Sequence, residues 1–143
     1  MGETWARCDF VIDVKGGILV LEVDEFQHEL ANYSISCELR RMTQIVEAFM
    51  LGGLALPVFF IRFNPDAFTV DGQNKRVPIV TRLNRLVTHI RELDLTNAPG
   101  LQVLYMYYDI VKSPSSGAEY TLKQWESPEY DDKFKALCLS PIV

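Results

Sequence analysis

The sequence predicts an α/β fold, a mixed sheet flanked by helices, and three observations carry that prediction. Two β-branched apolar runs meet at a Gly-Gly pair, two later stretches repeat apolar residues at helical spacing, and two further apolar runs have strand length. The order is hairpin, helix, strand, helix, strand. The first two strands are therefore antiparallel, while the later ones are joined by helical crossovers.

Asp9 to Val14 and Ile18 to Val23 form the hairpin, with Gly16 and Gly17 supplying the positive φ angles of a tight turn. Asp24 to Ser34 is too rich in charge and amide to be core and reads as a loop at the sheet's end. A helix follows, with Ile35, Leu39, Met42, Val46 and Phe49 on one face, Ser34 as N-cap and Gly52-Gly53 as the stop. Val58 to Ile61 is an unbroken apolar run, the pattern of a strand buried on both faces, so this strand is expected at the sheet's centre. Asp71 to Asn74 reads as a loop. Pro78 then opens a second helix with Ile79, Leu83, Leu86, Ile90 and Leu93 on its apolar face. Leu101 to Tyr108 is a further strand after the Pro99-Gly100 turn, and Ser113 to Gly117 is a loop signal. The chain divides into an α/β domain over 1–111 and an acidic, weakly structured C-terminal appendage over 112–143.

The 143 residues are 48% hydrophobic and 23% charged, which excludes disorder as a description of the whole chain and suits one layered domain. A net charge of -5 argues against a general electrostatic grip on nucleic acid, though not against a local basic strip. Cys8, Cys37 and Cys138 are odd in number and lack a Cys-x-x-Cys pair, so neither a disulfide framework nor a zinc ribbon is expected. A reducing intracellular compartment, cytoplasmic or nuclear, fits them. Neither a signal peptide nor a membrane-length apolar run is visible, and no membrane partner is expected.

With Gly16-Gly17 as the two-residue turn, Lys15 faces Ile18, Val11 faces Glu22 and Asp9 faces Asp24. Strand alternation then gathers Asp9, Glu22 and Asp24 on one face at the hairpin's open end. A one-residue change in the turn would shift this pairing. Six of the 19 acidic residues fall between Asp9 and Glu29, against Lys15 alone as a base. Clustered carboxylates repel one another and are costly to bury, so they invite a hard divalent cation with oxygen ligands; the alternative is a solvated strand end.

Arg7-Cys8-Asp9-Phe10, then Leu21-Glu22-Val23-Asp24 with Gln27-His28, resembles the core of the PD-(D/E)XK nuclease superfamily. The nearest branch is that of the very-short-patch repair endonucleases, together with unannotated proteins of large DNA viruses that share E-V-D-E-x-Q-H and I-R-F-N-P-D. Glu22 to His28 and Ile61 to Asp66 match that wording, and the resemblance spans Arg7 to Tyr108. It implies a restriction-endonuclease-like core in which Asp9 and Glu22 hold Mg²⁺ or Mn²⁺ and a metal-activated water hydrolyses a DNA phosphodiester. Asp24 stands where the superfamily has a lysine, and is expected as a third metal ligand. His28 would act as general acid or base and Gln27 would position water or contact phosphate; as ordinary loop residues they would do neither.

Arg40 and Arg41 on the first helix and Arg62 at the end of the central strand are candidate nucleic-acid contacts, Arg62 serving equally well as the partner of an acid. Lys75, Arg76, Arg82 and Arg85 make a basic stripe that either follows a DNA backbone or is simply solvated. The superfamily places a helix and a strand before the Asp-bearing strand, and this sequence has neither before Asp9. The expectation is therefore a core truncated at its N-terminus: either the sequence lacks its first elements, or the protein is a reduced version completed by a second copy or another chain. The reading is a metal-dependent endonuclease-like domain acting on DNA; the alternative is a catalytically silent nucleic-acid-binding or interaction module that keeps the fold.

Overall fold

Lys15 and Gly16 turn the first hairpin in the computed structural model, which describes residues 8–25, 35–98, 100–112, 120–122 and 136–138. Strand β1 (Phe10–Val14) pairs antiparallel with β2 (Gly17–Val23), with Val14 opposite Gly17 and Phe10 opposite Leu21. This corrects the expected register by two residues: Val11 faces Val20 instead of Glu22, and Asp13 takes Ile18. A shift of two leaves every side chain on its predicted face. Its cause is a division of labour between the glycines. Gly16 supplies the turn's positive φ of 77°, whereas Gly17 already belongs to β2. A Cβ on Gly17 would sit 2.5 Å from the Pro57 carbonyl oxygen, which accepts the Ile18 N–H at 2.9 Å, so Gly17 is needed for close approach.

Helix α1 (Ile35–Leu51) turns Met42 and Ile45 into the core, with Val46 and Phe49 partly covered. Ser34, its expected N-cap, lies outside the described residues. At the other end Gly53 adopts φ 88°, its N–H donating to the Met50 carbonyl and the Leu54 N–H to the Phe49 carbonyl, a Schellman stop. Strand β3 (Val58–Phe63) follows, with all six residues buried. It occupies the centre of a five-stranded sheet of order β1-β2-β3-β6-β9, completed by β6 (Leu101–Met106) and β9 (Ala136–Cys138). From β2 to β9 the pairs are parallel, and the β1–β2 pair makes the sheet mixed.

A second, four-stranded sheet of order β5-β4-β7-β8 comprises β4 (Phe68–Val70), β5 (Gln73–Lys75), β7 (Ile110–Lys112) and β8 (Tyr120–Leu122). The expected loop at Asp71 to Asn74 is thus a hairpin turn. Asp71 and Gly72 take φ 50° and 79°, the doubly positive geometry that favours an Asp-Gly pair. Within 112–143, Tyr120–Leu122 and Ala136–Cys138 pair into the two sheets, and β7 crosses the expected boundary at 111.

Helix α2 (Ile79–Glu92) keeps the second half of its predicted stripe inward, with Leu86 buried and Ile90 and Leu93 partly buried against the core, and departs from it in the first half. Arg82 and Leu86 face inward, while Ile79, Val80, Leu83 and Val87 are exposed. Arg82 donates Nε to the Val77 carbonyl and Nη1 to the carbonyls of Asn64 and Asp66. Its guanidinium lies 5.0 Å from the Phe68 ring centroid and 5.1 Å from that of Tyr107. Arg82 therefore ties α2 to the exit of β3 and leaves the expected basic stripe; burial lowers its pKa. No helix among the described residues is long and apolar enough to cross a membrane.

Candidate functional site

Parallel pairing sets Glu22 beside Arg62 and Arg62 beside Tyr105, so these side chains share one sheet face with Asp24 one pleat further on. Asp24 lies just past β2, its N–H donating to the Phe63 carbonyl at 2.8 Å, which carries the chain along β3 and aims the carboxylate at Arg62. Arg62 grips it with a fork, Nε to Oδ2 at 2.7 Å and Nη2 to Oδ1 at 3.0 Å, and the Tyr108 hydroxyl also donates to Oδ2. Both charged residues are 1% exposed. A fork of this kind satisfies a buried carboxylate at both oxygens.

The other two carboxylates meet across the hairpin. One step beyond the Phe10–Leu21 pair stands Asp9 opposite Glu22. Each binds the other strand's backbone: Asp9 Oδ2 accepts the Val23 N–H at 2.8 Å, and the Glu22 carboxylate accepts the Asp9 N–H. Asp9 is exposed and Glu22 buried, so the pair runs from the surface into the protein. Burial raises the Glu22 pKa, and Asp9 pushes it further up against the pull of Arg41 and Arg62. Arg41, on α1, brings Nη2 to within 3.4 Å of Glu22 Oε1. The Cys8 thiol is half-buried beside this group; burial raises its pKa, and Glu22 adds to the shift.

The expected site residues therefore separate into two sets. Asp9, Glu22 and Arg41 come together, and Asp24 and Arg62 form a pair of their own behind them. Arg40 is exposed on α1. Gln27 and His28 lie outside the described residues. Tyr108 and Cys8 were not singled out by sequence. Tyr108 closes an apolar run and carries no signal of its own, and its role comes from β6 ending beside β3. Among the described residues, no group of three or more His, Cys, Asp or Glu side chains stands close enough to hold a metal ion.

The chain matches no family model, no curated protein and no solved structure. The donor chemistry at Asp9 and Glu22 suits a hard divalent cation. The two carboxylates stand on facing strands, and Asp9 adds to the upward pKa shift that burial gives Glu22; oxygen donors of this kind are what such a cation takes. Asp24 does not fit as a third ligand, because both its oxygens are engaged by Arg62.

Proposed function

We propose that the chain is a metal-dependent phosphodiester hydrolase domain acting on DNA, built on a restriction-endonuclease-like core with Asp9 and Glu22 as its metal-holding pair. The observation that carries this reading is the juxtaposition of these two carboxylates across the β1–β2 pair, one exposed and one buried. A bound Mg²⁺ or Mn²⁺ would supply an acidified water and charge stabilisation for the phosphate. Glu22 and Asp9 would hold the cation, each carboxylate tied to a backbone N–H of the facing strand. Arg41, about one third exposed and already at this pair, supplies a guanidinium for a phosphate oxygen. The Asp24–Arg62 pair stays out of the chemistry and holds the ends of β2 and β3 in register. His28 and Gln27 enter this proposal as the proton-transfer and water-positioning groups of the family resemblance.

Titration of Mn²⁺ into the full chain, followed calorimetrically, is expected to give saturable binding. Asp9→Asn and Glu22→Gln should abolish it together with Mg²⁺-dependent nicking of plasmid DNA, whereas Arg41→Ala should retain metal and lose nicking. An intact chain that binds neither metal overturns the reading.

A second reading, a catalytically silent nucleic-acid-binding module, is favoured by one observation: the position expected to carry a lysine holds Asp24, locked in a buried pair. It predicts salt-dependent DNA binding that Asp9→Asn and Glu22→Gln leave intact, with no cleavage in any metal.

A further inference from the structure

Helix α2 presents an exposed apolar stripe, with Ile79, Val80, Leu83 and Val87 exposed by 47%, 65%, 45% and 42%. Seen from its N-terminus, a right-handed helix turns clockwise by about 100° per residue, so the stripe lies about a quarter turn clockwise from the inward line through Arg82 and Leu86. The helix returns the chain from the end of β3 to the start of β6, and a crossover between parallel strands is right-handed. With that handedness the stripe faces along the sheet toward β9 and away from α1, which makes the β2–β3 crossover on the same side.

The topology also says what passes there. The β4–β5 hairpin follows β3 and leads into α2, and the β7–β8 hairpin follows β6 in the same way, the two hairpins meeting in the second sheet through β4 and β7. Residues 123–135, outside the described residues, join β8 to β9 and so hold the place in the chain that α2 holds before β6. Because β9 runs parallel to β6, a right-handed return brings this segment along the helix-bearing face on the β9 side of α2. Its length spans about 20 Å at helical rise and about 43 Å fully extended, against about 20 Å for the six residues of β6.

We infer that the chain's own segment 125–134 docks along this stripe and completes the helix-bearing layer. Running in the same direction as α2, it brings Trp125 against Ile79 and Val80 and Phe134 against Val87, with Tyr130 between them. The charges match as well as the apolar groups. Glu126, Glu129, Asp131 and Asp132 outweigh Lys133 in the segment, whereas Lys75, Arg76, Arg85 and Arg91 outweigh Glu92 on α2 and its approach. A second copy's α2, laid antiparallel about Leu83, would instead oppose Lys75 and Arg76 to Arg91, and like charges repel. Charge complementarity thus selects the acidic segment as the occupant. No metal at Asp9 and Glu22 is needed for this docking.

Trp125 reports the contact once Trp5→Phe has removed the other tryptophan. In that full-length chain Trp125 emission is expected to be blue-shifted and shielded from acrylamide, to the same degree over about 1–100 µM protein. Val80→Asp sets a carboxylate against the acidic segment and is expected to abolish the blue shift and raise quenching to that of the urea-unfolded chain. Val80→Leu, at the same exposed position, is expected to preserve both. Circular dichroism checks that each variant stays folded. A Trp125 quenched as freely in the folded chain as in urea overturns the proposal. So does shielding that Val80→Asp leaves unchanged, which would place the indole away from the stripe. Shielding that develops only as concentration rises marks a second copy and overturns it too.

Discussion

Arg62 and Asp24 are two charges withdrawn from water whose geometry repays part of the desolvation through three hydrogen bonds to one carboxylate. Removing one member leaves the other buried and uncompensated. Arg62→Met alone should cost about 3–5 kcal/mol in urea unfolding, whereas Asp24→Leu combined with Arg62→Met should recover most of that loss. Glu22 makes a different prediction, because its folded pKa lies above its unfolded one. Between those two values the folded state holds more proton than the unfolded state, so stability falls as pH rises through the window. Urea unfolding from about pH 4 to 7 should show that downward slope. Glu22→Gln should flatten it, and Arg41→Ala should steepen it by removing the nearest opposing charge. The sequence made both acids visible as neighbours, since alternation alone puts them on one face. It did not reveal that Arg62, forty residues downstream of Glu22, would claim Asp24 and leave Glu22 with Asp9.

Elements were legible where one local rule decided them. The apolar run Val58 to Ile61 becomes a fully buried central strand, and Gly52-Gly53 ends α1 as expected because a left-handed residue is required there. Helix α2 shows where such rules stop. Periodicity put Ile79, Leu83, Leu86, Ile90 and Leu93 on one inward face, and the last three do meet the core. In the first half Ile79 and Leu83 are exposed and Arg82 turns inward in their place, because three carbonyls and two aromatic rings receive the guanidinium. Leu86→Ala should therefore cost about 2–4 kcal/mol and Leu83→Ala less than about 1 kcal/mol, measured by thermal or urea unfolding. The reverse order would contradict the exposure of Leu83 and the burial of Leu86. Asp71-Gly72 was a hairpin signal of the strongest short kind, passed over because the strands beside it are only three residues long and alternate too briefly to register.

At the scale of the whole molecule, two sheets share the chain, and their strands come from distant parts of it. β9 joins β6, and β8 joins β7, from within a region whose composition offered no periodic signal. The sequence by itself determined the α/β class, the hairpin, both helices, the central strand and the face on which Asp9, Glu22 and Asp24 lie. Each follows from near-neighbour chemistry: a 2.0 or 3.6 residue period, or a glycine where φ is positive. Only the tertiary structure decided the hairpin register, the inward turn of Arg82 on α2 and which acid is paired with which base. Those depend on groups brought together from far along the chain: the Pro57 carbonyl against Gly17, the loop carbonyls around Arg82, and Arg62 across from Glu22. Their energies come from close approach and from pairing of buried charge, neither of which leaves a periodic trace in the order of residues.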